Sequence, residues 1–167
     1  ILHYNVIFQS NLILDNLYRV QNLPKDRENF YKGHCYFAKG LMYYEIARRW
    51  GNAPITRDAK SIDPLGRSDA KVVLDTALSN ALKAFDLLKN CDEAVDCNGQ
   101  KLKKYYAHKG AAAALLANIY AWKGGLFNDP DAYKETEKYC TLIIENKVGI
   151  YKMVDTPEEV CSVVMDR

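Results

Sequence analysis

Apolar residues recur along this chain at steps of three and four, the period of a helix, and no stretch alternates convincingly enough to be a strand. Tyr4 to Asn22 predicts a first helix, with Val6, Ile7, Leu14, Leu17 and Tyr18 among its apolar positions and Pro24 ending it. Asn29 to Trp50 predicts a second. Phe37, Leu41 and Tyr44 form one stripe there, and Tyr36, Tyr43, Ile46 and Trp50 form another, so this helix is expected between two neighbours. Gly40, between the stripes, would let another backbone come close, and Gly51 supplies a C-terminal stop. Asn52 to Arg67 holds Pro54 and Pro64 without periodicity and reads as a loop.

Ser68 is the expected N-cap of a third helix running to about Lys89, whose inward face steps through Leu74, Leu78, Ala81, Phe85 and Leu88. A second polar loop, Asn90 to Lys103, leads to a fourth helix expected over Tyr105 to Lys123. Ala112, Leu115, Leu116, Ile119 and Tyr120 lie on one side of it, and Gly124-Gly125 is its expected stop. The fifth is expected over Asp131 to Asn146, with Tyr133, Thr136, Cys140, Ile143 and Ile144 inward. Thr156 can cap a short last helix, since Pro157 suits the first helical position and Glu158-Glu159 the positive end of the dipole. The predicted fold is a single all-α domain over residues 1–167.

Two helix pairs share one motif. A tetratricopeptide unit places Leu-Gly/Ala-x-x-Tyr in its first helix and small residues at fixed steps in its second. Leu116-Ala117-Asn118-Ile119-Tyr120 supplies the first part, with Thr136, Cys140 and Ile143 at the second-helix positions. Gly40 and Tyr43, then Ala77, Ala81 and Ala84, supply an earlier pair interrupted by the whole 51–67 loop. The expected architecture is therefore an α-α superhelix of degenerate tetratricopeptide-like hairpins with long loops between helices.

Composition narrows the function without choosing it. A hydrophobic fraction of 49% and a charged fraction of 26% suit a globular domain, and a net charge of +2 argues against nucleic acid as a partner. The one basic cluster, Lys101, Lys103 and Lys104 beside Tyr105 and Tyr106, reads as a solvated helix start. The chain opens directly on a helical pattern, which leads us to expect a piece of a longer protein with any export signal upstream. Five cysteines leave at least one unpaired. Cys35, Cys140 and Cys161 are expected as small buried hydrophobes, whereas Cys91 and Cys97 flank a polar segment as either a loop-closing disulfide or two free thiols. His3, His34 and His108 are too scattered for a structural zinc site, and no metal or cofactor is expected. Asp129 with Asp131 and Glu158 with Glu159 are better explained as helix caps than as catalytic pairs, and no hydrolase or phosphate-binding motif occurs.

Several patterns in order resemble the SusD/RagB family. Ile7-x-x-x-Asn11 followed by Ile13-Leu14 is similar to that family's early helix. Gly33 through Trp50-Gly51-Asn52-Ala53-Pro54-Ile55 is similar to its helix ending in an aromatic-Gly-x-x-Pro signature. Arg67-Ser68 and the alanine-rich Lys109 to Tyr120, followed by Ala132-Tyr133, resemble the next elements, while Asn80-Ala81 departs from the expected Asp-Leu. The resemblance implies a non-catalytic lipoprotein of the outer membrane surface. Such a protein holds an oligo- or polysaccharide and acts as a lid on a SusC-type TonB-dependent transporter. Sugar capture needs flat aromatic faces and polar groups for the hydroxyls. Tyr105 and Tyr106 are the candidate aromatic surface, and Asn52 and Arg57 in the long loop the candidate polar partners. Trp50 and Trp122 are expected to pack rather than bind. The alternatives are a tetratricopeptide adaptor for peptides, which the irregular loop lengths argue against, and a structural part of a surface assembly.

Overall fold

The computed structural model describes residues 2–60, 64–96, 98–152 and 155–156. Among the described residues five α-helices follow in order: α1 (Leu2–Asn16), α2 (Lys25–Trp50), α3 (Ala70–Leu87), α4 (Lys109–Phe127) and α5 (Pro130–Ile144), with a 3-10 turn Leu17–Arg19 after α1. Each helix packs chiefly on its neighbours in the chain, and the α2–α3 interface is the most extensive. Among the described residues, strand pairing is limited to isolated bridges, such as Ala53 with Ser68. The all-α expectation holds.

The core runs through the middle of this array. Ile7 from α1, Tyr43 and Ile46 from α2, Val73, Leu74, Ala77 and Ala81 from α3, and Leu116 and Ile119 from α4 are almost completely buried. The α2–α3 hairpin closes where a glycine faces alanines. A Cβ placed on Gly40 would stand 3.1 Å from the Ala81 nitrogen and 3.2 Å from the Ala77 carbonyl oxygen, so the two backbones meet there with no side chain between them. This is the small-residue contact that the repeat pattern predicts.

Element ends depart from expectation for local reasons. α2 starts at Lys25, just after Pro24, because proline fits ahead of a helix start, and Asp26 and Glu28 favour the positive end of the dipole. The cap of α3 is Asp69, whose carboxylate accepts from the Lys71 N–H at 2.9 Å; Ser68 instead pairs its backbone with Ala53 across the loop mouth. α3 ends at Leu87, short of Lys89.

α4 begins at Lys109, four residues later than predicted, leaving Tyr105 and Tyr106 in the preceding turn. It also continues through Gly124-Gly125 to Phe127 and stops at Asn128 in the left-handed conformation. The glycines do not terminate it because they are a contact surface: a Cβ on Gly124 would lie 2.9 Å from the Tyr133 ring.

The inward face of α5 is turned from the predicted one. Ala132 and Tyr139 are buried, while Tyr133, Cys140 and Ile144 are exposed. Tyr139 wins because its ring stacks on Tyr120 at 5.9 Å and meets Phe85 edge-on at 5.5 Å. Thr136 does hold the predicted helix–helix position: its hydroxyl donates to the Ala132 carbonyl at 3.0 Å and lies 3.4 Å from the Ala117 carbonyl of α4. Asp129 caps α5 by accepting from the Asp131 and Ala132 N–H groups.

Cys35 is buried as expected. Cys91 is a buried free thiol whose S–H donates toward the Ile150 carbonyl at 3.9 Å. Cys97, Cys161 and the helix expected after Thr156 lie outside the described residues.

Candidate functional site

Tyr105 and Tyr106 stand in the turn ahead of α4, both exposed, with ring centroids 4.7 Å apart and planes tilted by 31°. The Tyr106 phenol is raised above its ordinary pKa, first by its hydrogen bond with Tyr105 and then by that residue's charge. Below the pair is a small cavity of about 80 Å3 between the start of α2 and the end of α3. Phe30, His34, Leu87, Leu88, Ala107 and His108 give it a largely apolar wall. Tyr106 meets the His34 ring edge-on at 6.4 Å, and the Arg27 guanidinium sits 4.4 Å above Phe30.

His34 Nδ1 lies 2.8 Å from the Phe30 carbonyl and His108 Nε2 lies 3.1 Å from that of Lys103. A carbonyl only accepts, so those ring nitrogens carry the protons. Burial pushes both imidazoles below their ordinary pKa, outweighing those hydrogen bonds. The folded state therefore binds fewer protons than the unfolded chain just below the unfolded value of ~6.5. The stability tied to neutral His34 and His108 is fully present above that pH and is lost as pH falls from it toward the lowered folded values. Thermal melts should show a lower Tm at pH 5 than at pH 7.5, and the slope should flatten in His34→Gln/His108→Gln. A flat wild-type profile would contradict this.

The other two candidates lie elsewhere. Asn52 is a structural residue: its side-chain oxygen accepts the Ala70 N–H at 2.9 Å and so helps start α3. Arg57 is exposed on the rim of a wider groove between α1, α2 and α3. Three side chains pin the loop that carries it. Tyr4 donates to the Pro54 carbonyl at 2.9 Å, Asp15 accepts from the Ala59 N–H at 2.9 Å, and the Tyr43 hydroxyl accepts from the Thr56 N–H at 3.0 Å and donates to its carbonyl at 3.1 Å.

The structure thus brings Tyr105 to Tyr106 but not to Asn52 or Arg57. Tyr106 rests beside His34 and Arg57 follows the residue held by Tyr43. Those two positions are roughly 13 Å apart along α2 at 1.5 Å per residue.

Both tryptophans are more exposed than predicted. Trp50 is 60% exposed and meets the His3 ring edge-on at 5.3 Å, and Trp122 is 39% exposed with the Arg48 guanidinium 5.6 Å from its ring. Sequence reasoning also passed over Lys39, Asn11 and Asn80, all buried on the groove wall. The available signal was a lysine inside the otherwise apolar run Phe37-Ala38-Lys39-Gly40-Leu41.

Among the described residues no His, Cys, Asp and Glu side chains cluster in a way that could hold a metal ion, and no helix is long and apolar enough to cross a membrane.

A helical array with an aromatic-Gly-x-x-Pro turn and loops inserted into its hairpins defines a scaffold class, and comparison with known proteins gives that class its family. Residues 1–121 match the family model described as SusD-like, "Starch-binding associating with outer membrane". The chain belongs to the SusD-like family. It is 28% identical over 130 residues to SusD-like protein P25 of Formosa agariphila, covering 74% of this chain and 23% of that protein. The fold is similar to that of a SusD homologue from Bacteroides thetaiotaomicron, with a TM-score of 0.82 at 20% identity over 95% of this chain and 30% of the other. It is also similar to that of NanU from Bacteroides fragilis, with a TM-score of 0.79 at 21% identity over 94% of this chain and 30% of the other. The chain therefore spans less than a third of the length of these relatives.

Proposed function

We propose that this chain is part of the helical scaffold of a non-catalytic cell-surface protein. That protein captures glycans and serves as a lid over a SusC-type TonB-dependent transporter of the outer membrane. The observation that carries this reading is the family match over residues 1–121, whose description joins starch binding to association with the outer membrane. The surface chemistry supports it. A pyranose ring presents an apolar face that stacks on aromatic rings and hydroxyls that need polar partners. The exposed Tyr105–Tyr106 pair offers the first, and Arg57, exposed on a loop pinned by Tyr4, Asp15 and Tyr43, offers the second. Asn52 gives one acceptor site to α3 and keeps its exposed amide donors for a hydroxyl.

The partnership is tested by cross-linking intact cells that carry an affinity-tagged form of the longest natural polypeptide containing this chain. Purification should recover a TonB-dependent transporter as the dominant cross-linked species. Recovery of a soluble protein through its terminal peptide would favour a tetratricopeptide adaptor and overturn the lid reading.

A further inference from the structure

The groove that Arg57 rims has a chemistry that scaffold packing does not explain. It has a volume of about 410 Å3, within the roughly 300–1,000 Å3 range of small-ligand sites. On its wall Asn11 is 1% exposed, and both its side-chain nitrogen and oxygen lack a hydrogen-bond partner among the described residues. Buried amides are normally paired, and leaving one unpaired is costly. Lys39 is 8% exposed and forms no salt bridge within 4 Å among the described residues. Asn80, equally buried, donates to the Thr76 carbonyl at 2.8 Å and keeps its side-chain oxygen for another partner. Tyr36 contributes an aromatic surface with the Lys83 ammonium 5.2 Å from its ring.

The charges on the wall are unbalanced. Among the described residues that line it, Lys39, Lys83 and Arg57 face one carboxylate, Asp15, and that carboxylate already accepts the Ala59 N–H. Burial, and then the neighbouring Lys83 charge, push the Lys39 ammonium below its ordinary pKa, only partly opposed by Asp15 and Cys35. An anion entering the groove would satisfy Lys39, and a hydroxyl beside it would satisfy the free oxygen of Asn80, while the closed Asn11 amide would join only by turning outward.

We propose that this groove binds the anionic unit of an acidic saccharide, a hexuronate or a sulfated hexose, with Lys39 meeting the anion and Asn80 a neighbouring hydroxyl. The assignment deepens the glycan-capture reading and rests on it. A lysine presents a point charge rather than a fork, which suits either a carboxylate or a sulfate ester.

The test is a calorimetric and NMR titration of the 167-residue chain with glucuronate, galactose 6-sulfate and neutral galactose. One or both acidic sugars should bind with a dissociation constant on the order of 1 mM, as small ligands of this size do, and galactose should not. The two acidic arms separate carboxylate from sulfate recognition. Lys39→Met keeps the stem and removes the charge. It should weaken acidic-sugar binding at least about tenfold while raising Tm by a few degrees, because a buried unpaired cation is removed. Lys39→Arg should retain binding within a few-fold, and Lys104→Met, remote from the groove, should change nothing.

Silence toward both acidic sugars, equal binding of galactose, or indifference to Lys39→Met would overturn the assignment. A whole protein that captures neutral glycans while this titration is silent would sink the groove and leave surface capture standing.

Discussion

Gly40→Leu is expected to cost roughly 3 kcal/mol or more of folding stability, the upper end for forcing atoms into a packed interior. The reason is what the side chain would meet. Even a single Cβ at Gly40 faces the Ala81 nitrogen and the Ala77 carbonyl at 3.1 and 3.2 Å, and backbone cannot swing aside as a flexible side chain can. Leucine adds three further carbons in the same direction, so α2 and α3 must separate along the largest interface in the fold. For a domain of this size the loss corresponds to a fall in Tm of about 6–12 °C, readable by circular dichroism. Gly40→Ala sets two effects against each other, a tight contact and a helix-propensity gain of about 1 kcal/mol, and should stay within about 1 kcal/mol of the parent. A leucine variant as stable as the parent would show that the hairpin does not close on this glycine.

The second large effect is at Tyr43, which joins the core to the long loop. It is fully buried, and its hydroxyl closes two hydrogen bonds on the Thr56 backbone. Tyr43→Ala should cost about 3–5 kcal/mol through the lost ring and the cavity left behind. Tyr43→Phe keeps the ring and leaves the half-buried Thr56 N–H without its acceptor, at about 1–3 kcal/mol. Hydrogen exchange separates the two. In the phenylalanine variant the Thr56 amide should lose more protection than core amides near Leu116, whose smaller fall follows the global loss of stability. Unchanged protection at Thr56 would mean that Tyr4 and Asp15 hold the loop without help.

What the residues alone disclosed follows from the range over which each signal acts. Periodicity reports which faces are apolar, so five helices and the Gly40–alanine contact were legible before any coordinates. Gly51 was equally legible: it ends α2 with a positive φ of 67° and donates its N–H to the Ala47 carbonyl. Periodicity reports poorly where several faces are apolar at once. On α5 the pattern favoured Tyr133 and Cys140, and only the partner rings Tyr120 and Phe85 decide that Tyr139 points inward. Gly124-Gly125 misled for a related reason: a glycine pair reads as a stop unless one knows that an aromatic ring will lie on it.

The candidate residues divide in the same way. Tyr105 and Tyr106 were visible because adjacent aromatics at a loop end stand out in sequence, and the exposed pair is where it was expected. The contact of Asn52 with the Ala70 amide was not legible, because that amide is contributed by the far end of a loop and no local pattern encodes it. Lys39 and Asn11 come from different helices and acquire meaning only when α1 packs beside α2 and leaves them facing one groove.

The proposed glycan capture without catalysis is tested by a glycan array followed by calorimetry. Both would be run on the longest natural polypeptide that contains this chain, with product analysis of every glycan retained. At least one oligosaccharide should be retained saturably and recovered at its original chain length after prolonged incubation. No retained glycan, or a retained glycan that is progressively shortened, would contradict capture without catalysis.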